Sequence, residues 1–161
     1  MRTALAATWT LLLGMALLML GAGLQGTLVG LRASLEGFPT LLAGIMLAAY
    51  YLGYMAGSVM TPGLVNSVGH VRVFAALTSL ASVLILLQGI FVAPLPWTLV
   101  RILSGFCFAG IYVVAESWLN GRVDNEHRGL LLSIYMLVCY GGLGLGQLLL
   151  NVADPRSTVL F

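Results

Sequence analysis

Residues 97–110, WTLVRILSGFCFAG, set one arginine, Arg101, inside an apolar run that extends from 96 to 119. A run of this length matches the ~20 residues that a helix needs to cross the hydrocarbon core of a bilayer. Four more such runs lie at 7–30, 40–61, 72–93 and 129–150. The sequence therefore predicts five membrane crossings. The first is too long for the apolar core of a cleaved leader, and Gly21-Ala22-Gly23 is not followed by a polar domain that cleavage would release.

Composition agrees with this reading. Of 161 residues, 60% are hydrophobic and 7% charged, against roughly 25% charged in an ordinary soluble domain. The seven basic residues are all arginines, and the formal net charge is +2. They are spread thinly over the connectors, whereas a nucleic-acid surface would gather them on one face. Nucleic acid is therefore excluded as a partner, and the lipid bilayer is the expected surroundings. Cys107 and Cys139 stand deep in apolar runs without ligand or disulfide spacing and read as small core residues. His70 and His127 lie apart in connectors. No metal, cofactor or catalytic set is expected, and an enzyme is not.

The connectors hold the turn residues: RASLEGFP at 32–39, PGLVNSVGH at 62–70, APLP at 93–96 and NGRVDNEHR at 120–128. All are short, so consecutive helices are expected side by side and antiparallel. Positive residues in short loops favour the cytoplasmic side. An inner N-terminus places Arg2, Arg72, Arg122 and Arg128 inside, against Arg32 and Arg156 outside. The expected location is the cytoplasmic (inner) membrane. Beyond the fifth run the chain turns through NVADPRS and enters TVLF, which reads as the opening of a sixth span and suggests a truncated chain.

Small residues recur at four-residue spacing: Ala49, Gly53 and Gly57; Gly26 and Gly30; Gly105 and Ala109; Gly142 and Gly146. Such ridges let helix backbones approach closely where lipid removes the hydrophobic drive for association. Tight packing and a sliding surface in a conformational cycle are both compatible with them.

Ionisable groups within a span cost about 2.5–3.5 kcal/mol even on the insertion scale. Arg101 lies about five residues into its span, about 7–8 Å deep at 1.5 Å per residue. It either snorkels to the outer headgroups or faces a wet cavity. Gln25, on the first span at a similar depth, favours the cavity. Tyr50, Tyr51, Tyr54, Tyr135, Tyr140 and Gln147 are candidates to line the same space, or ordinary packing and interface residues. Near the inner rim, Glu116 sits about a turn before the fourth helix ends, with Trp118 as an interface anchor. A buried carboxylate there calls for a partner. The choices are a static pair with Arg122 or Arg128, or a pair with Arg72, beside Gly69 and His70, that forms only when the inner side closes.

These residues resemble the N-terminal half of a major facilitator superfamily transporter. Arg101 and Gly105 in RILSG resemble the fourth-helix motif of an arginine followed four residues later by glycine. PGLVNSVGHVR resembles the loop motif between helices two and three. It departs where Asn66 and Ser67 replace the acidic residue and arginine, and where His70 and Val71 replace the basic pair; Gly69 and nearby Arg72 remain. The phrases GHVR, AESWLN, RG and IYM are similar to the YcaD-type branch over nearly the whole chain. The drug and proton antiporter signature of the fifth helix is not met, because YGGLGLGQ contains no proline.

The resemblance implies an all-α membrane fold, the six-helix half of a twelve-helix transporter, with five helices present and the sixth begun. Its partners would be a small-molecule solute, protons as a candidate coupling ion, and the missing C-terminal half. Gln25, Arg101, Tyr50, Tyr54 and Tyr140 would line the solute cavity. Arg101 would hold an anionic group of the substrate or repel a proton from a nearby carboxylate. Gly69, His70, Arg72, Glu116 and Arg128 would form a cytoplasmic gate, and Gly53, Gly57, Gly105, Gly142 and Gly146 would pack helices. The expected function is secondary active transport by alternating access. The competing expectation is a non-transporting interaction protein, or an inactive half-bundle, that pairs through its glycine-rich faces.

Overall fold

Backbone amides in a hydrocarbon layer have no water to bond, so an apolar run must satisfy them internally, which a helix does. The computed structural model describes residues 2–122 and 124–151, with the side chains of 2–7 and 125 left aside. It contains α1 (Arg2–Leu35), α2 (Thr40–Val68), α3 (His70–Ile90), α4 (Pro94–Asn120) and α5 (Asn125–Leu148), then a short 3₁₀ turn (Leu149–Asn151). No strand occurs among the described residues. All five helices are long and apolar enough to cross a membrane. The shortest, α3, has 21 residues, about 32 Å of helix against a core of about 30 Å.

The helices outrun the apolar stretches read from the sequence, most clearly at 62–70. That connector is helical through Val68, and only Gly69 separates α2 from α3. Apolarity marks the part of a helix that meets lipid, whereas its hydrogen-bond ladder continues into the polar boundary. Ser67 assists by donating its hydroxyl to the Leu64 carbonyl at 3.0 Å. Gly69 then donates its N–H to Val65 at 2.9 Å and accepts from Val73 N–H at 3.2 Å, closing one helix and opening the next. Its φ of 91° and ψ of 155° fall in a region open essentially to glycine alone. The turn after α1 is a Schellman motif. Gly37 N–H bonds Ser34 O at 3.1 Å and Phe38 N–H bonds Ala33 O at 3.0 Å, with Gly37 at φ 72°. The sixth span expected to open at 158–161 lies outside the described residues.

The chain divides into two compact units. The first comprises residues up to Val29 and from Glu116 onward, so it holds most of α1 and all of α5; the second is Gly30–Ala115, with α2, α3 and most of α4. In the second unit a Cβ added to Gly53 would meet the Ile102 carbonyl, one on Gly57 the Phe106 carbonyl, and one on Gly105 the Tyr50 carbonyl. The partner numbers advance together, so α2 and α4 run parallel with backbones in contact. In the first unit the same pattern joins α5 to α1: Gly146 against Leu20, Gly142 against Ala16, and Gly23 returning the contact against Leu143. Gly26 and Gly30, expected as a packing ridge on the first span, have nothing within 4 Å of an added Cβ. The α1 ridge runs instead through Gly23, because a helix turn of 3.6 residues puts Gly26 on a different face from the Leu20 and Ala16 carbonyls.

Candidate functional site

The second unit holds the buried charge. Arg101 stands on the face of α4 that turns inward with Val100, Ser104 and Gly105, and it is 5% exposed. Its Nε is buried without a hydrogen-bond partner among the described residues. Gly105 admits the α2 backbone at Tyr50, and that approach carries the Tyr50 ring to the guanidinium, with the carbon Cζ 5.5 Å from the ring centroid. Tyr50 is flanked in turn by Tyr51 at 5.5 Å, edge-on, and Tyr54 at 6.1 Å between ring centroids. A cation beside an aromatic face gains about 2 kcal/mol or more once desolvated, which is less than the several kcal/mol lost on burying the ion.

Ser104, one turn after Arg101, is 1% exposed and its hydroxyl is also buried without a partner. Serine and threonine hydroxyls inside helices usually bond back to a carbonyl of their own helix. Ser58, Ser67, Thr78, Ser82, Thr98 and Ser133 all do so here. Ser104 and Thr61 are buried exceptions among the described residues, and Thr61 Oγ1 lies 2.8 Å from a Cβ placed on Gly110. Neither was singled out by sequence; the available signal was a serine three residues after a buried arginine.

Counter-charge is scarce in this unit. Its one carboxylate, Glu36, accepts from Arg32 Nε at 2.8 Å, an i,i+4 pair at the α1 C-terminus where an arginine also meets the helix dipole favourably. The same end is tied by Trp97, whose ring lies edge-on to Phe38 at 5.6 Å and whose Nε1–H donates to the Gln88 carbonyl at 3.0 Å. At the other end of α2, Gly69 and His70 are half-buried and Arg72 is exposed.

The remaining residues singled out belong to the first unit. Gln25 is buried on α1, at 4% exposure. Tyr140 is 68% exposed on α5 and lines an open groove of about 610 Å³ with Leu132, Ser133, Met136, Leu137 and Gly141. Glu116 is half-buried and makes no ion pair with Arg122 or Arg128. Arg122 instead lays its guanidinium on Trp118, 4.0 Å from the ring centroid. Arg128 is exposed in the first turn of α5, where its N–H bonds Asp124 O at 3.1 Å. No group of three or more potential metal ligands occurs among the described residues.

Comparison with known proteins agrees with the helical architecture. The family model described as sugar (and other) transporter matches residues 6–153. An uncharacterized MFS-type transporter of Enterobacter sp. (strain 638) is 33% identical over 141 residues, 88% of this chain and 37% of its own length. The YcaD MFS-type transporters of Salmonella arizonae and Escherichia fergusonii, also uncharacterized, are similar to the same degree over the same shares. The chain thus spans little more than a third of the relatives it matches. No solved structure gives a significant match. With a family match over nearly its full length and five membrane-length helices, the chain belongs to the sugar (and other) transporter family of the major facilitator superfamily.

Proposed function

We propose that this protein is a secondary active transporter that moves a small organic solute across the cytoplasmic membrane by alternating access, with the N-terminus inside and the proton as coupling ion. The observation that carries the reading is Arg101, a charge on a membrane-length helix, 5% exposed and with no ion pair among the described residues. Intramembrane charges of this kind are costly and mark solute or ion paths. Family membership supports transport in general; solute, coupling and direction rest on this proposal.

Arg101, Tyr50 and Tyr54 are offered as solute-path residues of the second unit, and Gln25 and Tyr140 as those of the first. For the inner gate we offer Gly69, His70 and Arg72 at the α2–α3 corner, and Glu116 and Arg128 from the first unit. The glycine contacts suit such a cycle, because backbones in direct contact transmit motion as rigid pairs and not through flexible side chains.

The test is uptake and counterflow of candidate solutes in proteoliposomes with and without an imposed proton gradient. Transport that responds to the gradient and is lost in Arg101→Gln is the expected result. Transport unaltered by Arg101→Gln removes the arginine from the path, and absence of any solute movement overturns the reading.

A further inference from the structure

We infer that α2 is hinged at Pro62 and that the Thr61 hydroxyl is the switch of that hinge, giving residues 62–68 two discrete positions. A hinge there deepens the alternating-access reading above and rests on it for its use, while the motion itself is tested without a solute. Pro62 stands inside α2. Proline has no N–H, so the Ser58 carbonyl loses the donor that the fourth residue on supplies in a helix, and the ring crowds that carbonyl. Within a bilayer, carbonyls freed in this way are satisfied by nearby serine or threonine hydroxyls, by water or by a local change of helix. The Ser58 hydroxyl is already committed, donating to the Met55 carbonyl at 2.8 Å. Thr61 carries the hydroxyl three residues on. It is 0% exposed, and its Oγ1 lacks a partner among the described residues. That oxygen faces α4 instead, 2.8 Å from a Cβ placed on Gly110.

Two rotamers of Thr61 therefore compete. In the one seen, the hydroxyl points at Gly110 and goes unbonded, which is costly for a buried polar group. In the other, rotation about χ1 returns it to the Ser58 or Gly57 carbonyl of its own helix. Threonine divides between two such rotamers in helices, and the back-bonded one bends the helix. Packing leaves only one side of the hinge free to swing. Toward the N-terminus of α2, Gly53 and Gly57 bring the backbone against the Ile102 and Phe106 carbonyls of α4, so that part moves with α4 or not at all. Beyond Pro62, a Cβ added to Gly63 would meet nothing within 4 Å, and Val65 is the one buried residue of the segment. The segment ends at Gly69, at φ 91°, whose wide backbone range supplies a second pivot. Gly110 keeps the unbonded rotamer accessible, because a side chain there would press on Thr61 Oγ1. In the orientation proposed above, the moving segment carries the α2–α3 corner on the inner side.

The test uses the full chain in nanodiscs with Asn66→Cys, an exposed position on the moving segment, carrying a trifluoromethyl tag. The chain without that substitution, whose two cysteines are buried, gives the background. Fluorine NMR with saturation transfer reads the exchange. Two exchanging resonances are expected in the tagged parent. The second should be lost in Thr61→Val, which keeps the shape and removes the hydroxyl, and in Pro62→Ala, which returns an N–H to the Ser58 carbonyl. Thr61→Ser should keep both. A single resonance in the parent overturns the hinge. Two resonances in Thr61→Val overturn the switch, and two in Pro62→Ala overturn the pivot. Loss of the second resonance in Thr61→Ser assigns the effect to packing and overturns the role of the hydroxyl. Should Thr61→Val fail to fold, Pro62→Ala and Thr61→Ser carry the decision between them. Uptake in proteoliposomes separates the two readings. Two exchanging resonances without uptake of any solute keep the hinge and sink transport; uptake by a parent with a single resonance keeps transport and sinks the hinge.

Discussion

The α2–α4 pair and the α1–α5 pair are built by one device and used differently. Each sets two glycines four residues apart on one helix against two carbonyls four residues apart on a parallel helix, and a third glycine returns the contact. In α2–α4 that contact brings the Tyr50 backbone against Gly105 and the Tyr50 ring beside Arg101. In α1–α5 the atoms at the contact are the backbone of Ala16, Leu20 and Leu143 with Met19. The locking of backbones is thus separable from the placing of charge. The lock needs small residues at a fixed spacing on the face that meets a neighbour, and the charge beside it is a property of the residues around them.

The largest test of that comparison is to spoil each lock. Gly53→Val in α2 and Gly146→Val in α5 should each cost about 3 kcal/mol or more, the upper end for overpacking, because the obstructing atoms are backbone. Thermal unfolding in detergent and recovery of monodisperse protein report it. Equal losses sustain a shared device, and an unchanged midpoint in either would break the equivalence.

Next comes the difference between the pairs. Arg101→Gln should lower solute uptake about a hundredfold, in the range found when one partner of a buried charged contact is removed, while the unfolding midpoint is held. A large stability loss in that variant would mean that the arginine serves the lock and not the path.

The positive-φ glycines among the described residues, Gly37 and Gly69, both fall in the second unit. Gly69→Ala should cost about 1–3 kcal/mol of backbone strain, measured by the same unfolding assay. A neutral result would show that the α2–α3 corner relaxes freely and would remove the hinge as a distinction between the units.

A smaller effect is expected where α4 meets side chains. A Cβ on Gly110 would lie 2.5 Å from Leu77 Cδ1 and 2.8 Å from Thr61 Oγ1, and both can give way. Gly110→Ala should therefore cost about 1 kcal/mol, and Thr61→Ala in the same chain should recover part of it, a non-additivity expected of touching residues. The smallest is Gly26→Ala. With open space around it, it should be neutral or stabilise by about 0.5–1 kcal/mol through helix propensity, and any loss would mean that α1 packs on a second face.

The number and kind of helices were legible in the chain because apolar length alone decides which segments can enter lipid. Arg101 was legible for the same reason: one charge in a run such as WTLVRILSGFCFAG is conspicuous against its surroundings. Helix ends were less so, since Asn66 and Ser67 look like a loop by polarity, yet Ser67 bonds its own helix and α2 runs on to Val68.

Which glycines matter was settled by tertiary structure. Gly26 and Gly30 have the same spacing as Gly53 and Gly57, yet one pair meets open space and the other a neighbouring backbone. Spacing defines a ridge, but the rotation of a helix about its axis and the reach of its neighbour along it decide whether a partner lies against it. Ser104 is a further instance. Its residue type and position suit an ordinary back-bonded helix serine, and only the packed structure leaves its hydroxyl buried and unpartnered, one turn from an arginine in the same condition. Apolarity and periodicity are local and can be read along a chain. The enclosure of a polar atom depends on what several helices bring to one point.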